Sequence, residues 1–243
     1  MRAEERLQMR VACIIPAFNE ESTIAEIVRG ALKHCSTIIV VDDQSQDLTA
    51  ELSRKSGARV VTHILRLGAG AALSTGFRAA LGTDADTFVT MDGDGQHDPR
   101  EIPRLLEPIR NDEADIVLGS RLLGQHELMP LYKLMGNKAL SMATSLASGV
   151  RITDSQSGFR AYKRIVLDFV MHKQRDYGWA SEILILAAGG SFRIREVPIS
   201  ATYRAGQRRG AGVKDGFKIL YSTIRPKSSA ARTMITGRVD GAV

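Results

Sequence analysis

The feature that most constrains this chain is a repeated alternation. "RVACIIPAF" (10–18), "STIIVVDD" (36–43), "ARVVTHI" (58–64), "ADTFVTMD" (85–92) and "ADIVLGSR" (114–121) are short β-rich runs, apolar through most of their length. Between them lie stretches with helical spacing or helix signals: 19–35 with Ile24, Ile27, Val28, Ala31 and Leu32; 45–57 with Ser45 or Asp47 as cap and Gly57 at its end; the small-residue run 68–82; and 98–111 with Pro99 in its first turn. Strands without polar alternation are buried on both faces. Strands that take turns with helices build a mostly parallel sheet with helices on both sides. The expected fold is therefore α/β and Rossmann-like. Past about residue 125 the rhythm changes. A helix is expected over 131–149, a polar glycine-containing loop and then a strand or turn over 153–164, a helix over 181–190, and a strand-prone stretch over 192–204.

The chain's 243 residues suit one α/β domain. With no repeat or Pro/Ser-rich linker in view, we expect a domain over 1–210 and a basic amphipathic extension over 211–243. Cys13 and Cys35 make no disulfide framework and read as inert thiols in a reducing compartment. The charged start "MRAEERLQMR" has no apolar core, and "EILILAAGG" is far too short to span a bilayer. The net charge of +6 is uneven: Arg204, Arg208, Arg209, Lys214, Lys218, Arg225, Lys227, Arg232 and Arg238 face only Asp215 over that stretch. Such a tail is either solvated or meets an anionic partner. "VKDGFKILYSTIRPK" places Val213, Phe217, Leu220 and Ile224 at helical spacing, so a membrane surface is the expected partner.

In open parallel sheets ligands bind beyond the carboxyl ends of the strands. Asp42-Asp43, Asp92-Gly-Asp94 and Gly119-Ser120-Arg121 all end strands and so share one rim. Two adjacent carboxylates repel unless a cation sits between them, and hard oxygen ligands suit Mg2+ or Mn2+ bridging to a substrate diphosphate. Asp98, before Pro99, reads as a helix cap. One of Asp42 and Asp43 is expected to accept a hydrogen bond from a base or ribose, the other to cap the helix that follows. In "PAFNEE", Pro16 sets the exit from the first strand, Phe18 can pack under a base or ribose, and Glu20 can take a ribose hydroxyl. Gly68-x-Gly70 follows the third strand and lacks a third glycine, so a dinucleotide site is not expected there.

Together "IIPAFNEE", "IIVVDDQSQDLT", "MDGDGQHDP", "DIVLGSR" and "TDSQSGFRAY", in this order and at these spacings, resemble the family 2 inverting glycosyltransferases of the GT-A fold, and within them the dolichyl-phosphate mannose synthase and dolichyl-phosphate glucosyltransferase branch. The resemblance covers roughly residues 10–205. It implies that Pro16, Phe18, Glu20 and Asp42 line the nucleoside of a UDP- or GDP-linked sugar donor. Asp92 and Asp94 become the Asp-x-Asp pair, and Gln96 assists Asp94 at the metal. Arg121 binds phosphate at the acceptor side, and Arg204 reaches the diphosphate or the acceptor phosphate. Two positions depart from the pattern: Ala69 stands where a basic residue is usual, and Lys133 where an arginine is frequent.

The implied reaction is metal-dependent transfer of a hexose, with inversion, to a polyprenyl or dolichyl phosphate, on the cytoplasmic face of a membrane to which the protein binds peripherally. A phosphate acceptor is already nucleophilic, so no strong base is required; His97 reads as structural, and Asp154 and Gln156 as groups that orient sugar or acceptor. A soluble or cell-surface glycan acceptor is the alternative and would call on Asp154 as base. A non-catalytic nucleotide- or nucleic-acid-binding role is the third reading. The intact acidic pair and the aromatic-poor tail oppose it, so nucleic acid is not an expected partner.

Overall fold

The computed structural model describes residues 9–124, 131–173 and 179–202. Among these, β1 (Val11–Ala17), β2 (Thr37–Asp42), β3 (Arg59–Thr62), β4 (Thr87–Thr90), β5 (Ile116–Ser120), β6 (Arg160–Lys163) and β7 (Ile194–Pro198) form one sheet in the order β3-β2-β1-β4-β6-β5-β7. The helices are α1 (Ile24–Ala31), α2 (Thr49–Lys55), α3 (Ala69–Leu81), α4 (Ile102–Arg110), α5 (Leu131–Ser148), α6 (Arg164–Lys173) and α7 (Trp179–Gly189). The α/β class, the mostly parallel sheet and the flanking helices agree with expectation. The division at residue 210 and the extension over 211–243 lie outside the described residues.

Alternate residues of β1 enter different cores. Val11, Cys13, Ile15 and Ala17 pack with Ile24, Ile27 and Val28 of α1 and Leu105 and Ile109 of α4. Ala12 and Ile14 pack with Ala72 and Phe77 of α3, Val166 of α6 and Leu184 of α7. This two-sided burial is why the strand carries no polar alternation. Both cysteines are buried and free, and the hydrogen bond that the Cys13 thiol makes to Cys35, together with burial, holds the Cys13 pKa well above its ordinary range.

Three details differ from the sequence reading. β6 is antiparallel to both β4 and β5, because the loop before it already lies at the rim and the strand must run back from there. α6 was not expected: its buried Val166, Leu167 and Val170 have helical spacing, but it follows β6 with no intervening glycine or proline to mark its start. Neither Asp42 nor Asp43 caps α2. That helix begins beside Asp47, whose Oδ1 accepts from Thr49 N at 3.0 Å, while Ser45 Oγ accepts from Asn19 N. Pro16 sits inside a central strand without cost: β4 pairs only as far as Ile14, so no strand stands opposite the missing N–H.

Candidate active site

β4 hands its chain to the acidic turn at the rim. Gly95 closes this turn at φ +77°, a conformation few side chains adopt. Gln96 N donates to Asp94 Oδ1 at 2.9 Å, and Thr23 Oγ1 donates to Gly93 O at 2.7 Å, pinning the turn to the start of α1. Asp98 caps the following Pro99–Glu101 turn, accepting from Arg100 N at 2.9 Å. Asp92 keeps 46% of its side-chain surface open, yet the walls around it desolvate the carboxyl and raise its pKa above the ordinary value, opposed by Arg121 and Arg160. The Asp94 pKa is also raised, first by burial and then by the charge of Asp92, with the Gln96 amide opposing.

His97 lies beneath this pair and is 3% exposed. Its ring stacks on Phe159 with centroids 5.2 Å apart, and its Nδ1 faces the Asp92 amide at 3.5 Å. Burial, reinforced by Arg121, pushes its pKa down to about 4. A neutral ring fixed by stacking agrees with the structural role read from the sequence.

Across the rim, Asp154 is fully buried. Its Oδ2 accepts from Arg121 N at 3.1 Å and Nε at 2.7 Å, and its Oδ1 from Nη2 at 2.8 Å. Burial would raise this carboxyl, but the Arg121 fork overrides it and the pKa is lowered. Three residues not singled out from the sequence build the surrounding loop. Glu196 on β7 accepts from Thr153 N and Asp154 N at 2.9 and 3.1 Å. Arg160, buried on β6, donates to the carbonyls of Ser157, Ser155 and Ala180 at 2.7, 2.6 and 2.8 Å. Gly158 lies so close to Asp92 that an added Cβ would stand 2.7 Å from its Oδ2, so the motif glycine makes room for the Asp92 carboxylate.

The third wall comes from β1, β2 and the loop after β3. Asn19, at φ 56°, accepts at its Oδ1 from Gln46 N at 2.8 Å, and Glu20 N donates to Thr49 Oγ1 at 2.7 Å, so the "PAFNEE" turn and the "DDQSQD" turn are stitched together. Asp42 is buried and its Oδ1 accepts from Ser45 N at 3.2 Å. Asp43 instead clamps the loop leading into α3: it accepts from Leu67 N at 2.9 Å and Gly68 N at 2.7 Å, and contacts His63 Nδ1 at 2.8 Å. This loop lays the Arg66 guanidinium 3.9 Å from the centre of the Phe18 ring. Phe18, expected under a base, thus has an arginine on its ring. Arg66 also brings a cation to the loop in which Ala69 lacks one.

Pro16, Phe18, Glu20, Asp42, Asp92, Asp94, Gln96, Arg121 and Asp154 all come from loops or strand ends at this rim. Thr202 N donates to Gln96 O at 3.1 Å; Arg204, two residues on, lies outside the described residues. Glu196 had no sequence signal, since it stands in an ordinary strand far along the chain. Arg66 had a faint one, as a basic residue in a loop facing the rim.

The sheet order and an Asp-x-Asp turn between a stitched loop wall and a buried Arg–Asp pair define a GT-A-type fold. The chain belongs to glycosyl transferase family 2, whose profile matches residues 12–170. It is 38% identical to the UDP-N-acetylglucosamine–dolichyl-phosphate N-acetylglucosaminyltransferase of Methanococcus voltae, covering 88% of this chain and 94% of that protein. It is 34% identical to the undecaprenyl-phosphate mannosyltransferase of Micrococcus luteus, covering 81% and 85%. Glucosyl-3-phosphoglycerate synthase of Mycobacterium tuberculosis, solved with Mg2+ and uridine diphosphate, shares the fold: TM-score 0.68 at 23% identity over 90% of this chain and 80% of that one.

Among the described residues no three His, Cys, Asp or Glu side chains converge into a complete metal cage. Asp92 and Asp94 nevertheless fit a divalent cation. They are oxygen donors two positions apart on one turn at the rim, and Mg2+ commonly completes its shell with water and substrate phosphates.

Proposed function

We propose that this glycosyltransferase moves a hexose from a UDP- or GDP-linked sugar to a polyprenyl or dolichyl phosphate with inversion, at the cytoplasmic face of a membrane. The observation that carries the acceptor class is the state of Asp154. A hydroxyl acceptor needs a base near the anomeric carbon, and a buried carboxyl gripped by Arg121 with a lowered pKa is a weak one. A phosphate monoester needs positioning and charge control instead, which a rigid Arg121 offers. The identities of the M. voltae and M. luteus enzymes support the same class.

In this reading Pro16, Phe18, Glu20 and Asp42 border the nucleoside, with Arg66 closing over Phe18. Asp92 and Asp94, helped by Gln96, would hold Mg2+ or Mn2+. When bound, the ion neutralises charge that develops on the departing nucleoside diphosphate. Arg121, oriented by Asp154, would meet the acceptor phosphate; Arg204 would add a second cation. Gln156, whose Nε2 donates to Ser155 Oγ at 3.0 Å, keeps the acceptor loop in shape.

The test is incubation with a panel of labelled UDP- and GDP-sugars and either polyprenyl phosphate or a soluble glycan. Label passing into organic solvent only with the lipid phosphate is expected; label retained on the soluble glycan would overturn the acceptor class.

A further inference from the structure

The loop that joins β3 to α3 forms one wall of the site, yet its apolar side chains do not anchor it. Ile64, Leu65 and Leu67 expose 91%, 66% and 59% of their surface, so apolar burial does little to hold the loop where it lies. Hydrogen bonds from the two residues that follow β2 hold it instead. Gln44 grips the loop backbone with both ends of its amide: Nε2 donates to Ile64 O at 3.0 Å, and Oε1 accepts from Arg66 N at 3.0 Å. Asp43 takes the next two amides, Leu67 N and Gly68 N, at 2.9 and 2.7 Å. Burial would raise the Asp43 carboxyl, but these amides and His63 outweigh it, and its pKa is lowered. Gln44 reaches the loop from φ +64°, a left-handed conformation unfavourable for a residue with a Cβ. Such strain persists where the surroundings over-determine the backbone.

His63 ties this clamp to a rigid element. An ionised carboxylate can only accept, so His63 Nδ1 donates to Asp43 Oδ1 at 2.8 Å, while its Nε2 lies 2.9 Å from Thr75 Oγ1. Thr75 stands on α3, whose Ala72 and Phe77 are packed in the core. A chain of contacts thus runs from a buried helix through His63 and Asp43 to the loop. Between the Gln44 and Asp43 clamps stands Arg66, the residue whose guanidinium lies 3.9 Å from the centre of the Phe18 ring.

We infer that Gln44, Asp43 and His63, with Thr75 behind them, are positioning residues for the nucleotide-sugar donor: they fix the backbone on both sides of Arg66, so that its guanidinium and the Phe18 ring offer the nucleobase a preformed wall. The inference rests on the reading of Phe18 as a nucleoside contact. A loop free to move would lose conformational entropy each time donor bound, whereas a loop already clamped does not. Loss of the clamp therefore weakens donor binding and leaves the transfer step alone.

The experiment uses the full chain, calorimetric titration with uridine and guanosine diphosphate in Mg2+, and initial rates at varied nucleotide sugar with polyprenyl phosphate fixed. Gln44→Gly removes both amide contacts and suits φ +64°, so it should melt like wild type. It should bind the diphosphate that wild type prefers about fivefold more weakly, the factor that one lost hydrogen bond typically brings. Its donor KM should rise with kcat unchanged. Thr75→Val should weaken binding in the same direction, and Thr75→Ser should restore it. Because Gln44 acts through Arg66, Gln44→Gly and Arg66→Ala together should weaken binding by less than the product of their separate effects. Unchanged diphosphate affinity in Gln44→Gly, a fall confined to kcat, or full additivity with Arg66→Ala overturns the inference. Failure of wild type to bind either diphosphate overturns it together with the donor reading. Weakened diphosphate binding in Gln44→Gly, with no transfer to polyprenyl phosphate by either protein, supports it and overturns the acceptor class alone.

Discussion

Asp92 and Asp154 flank the same rim, and their surroundings push them in opposite directions. Asp154 is fully buried, yet Arg121 supplies three hydrogen bonds and its pKa falls. Asp92 is half open, yet its pKa rises, and that of its neighbour Asp94 rises with it. Arg121 grips Asp154 directly, whereas at Asp92 burial outweighs the opposing charges of Arg121 and Arg160. A carboxylate held by several donated hydrogen bonds organises the protein, whereas burial disfavours the charged form of one that has fewer. Burial alone does not sort the two roles. The three hydrogen bonds that Arg121 donates to Asp154 do.

The largest effect expected from this contrast is on stability. Asp154→Asn leaves Arg121 buried without its counter-charge, and removing one partner of such a pair costs about 3–5 kcal/mol. Chemical denaturation should show that loss, and a variant as stable as wild type would erase the distinction. Asp94→Asn should behave in the opposite way. A raised pKa means that the ionised form is less favoured in the fold than in the unfolded chain, so at neutral pH the substitution leaves the melting temperature unchanged or higher. Transfer activity should nonetheless fall by at least about 100-fold, as for loss of one strong electrostatic stabiliser. Full activity in rigorously chelated buffer would remove the metal from the scheme.

His97 sharpens the comparison further, because its burial beneath the acidic pair leaves it neutral. An unfolded histidine titrates near 6.5, and this one near 4. Between those values the unfolded chain binds a proton that the folded chain refuses. The contribution is complete above pH 6.5 and is lost as pH falls toward 4. His97→Phe, which preserves an aromatic ring against Phe159, should flatten this arm of the stability curve relative to wild type; parallel curves would mean that the ring titrates normally in the fold. The smallest effect is expected at Arg66. An exposed cation–π contact is worth about 0.5–1 kcal/mol, so Arg66→Ala should lower stability by no more than that in chemical denaturation, and should weaken uridine or guanosine diphosphate binding in calorimetry if Arg66 closes over the nucleoside. No change in affinity would assign the Arg66–Phe18 contact to loop packing alone.

Much of the molecule was legible from residue order. Apolar strands such as "IIVVD" are buried on both faces, and that demands a helix-covered sheet whatever else the chain does. "DGDGQHDP" announces a turn of carboxylates, and the glycines and the Asp98 cap form locally, from neighbours in sequence. Roles that depend on distant residues were not legible. Asp154 and Arg121 are 33 positions apart, and only the antiparallel return of β6 brings the loop of one beside the strand end of the other. Asp43 reads as a cap for the next helix, but it bonds Leu67 and Gly68 instead, because parallel pairing of β2 with β3 places their exits side by side. Residue order by itself therefore determined the strand-and-helix alternation, the family and the acidic rim, which follow from burial periodicity and local turn chemistry. The partner of each charge, and hence which carboxyl is raised and which is lowered, was decided only in three dimensions, because electrostatic environment is set by atoms a few ångströms away in space, however far apart they lie along the chain.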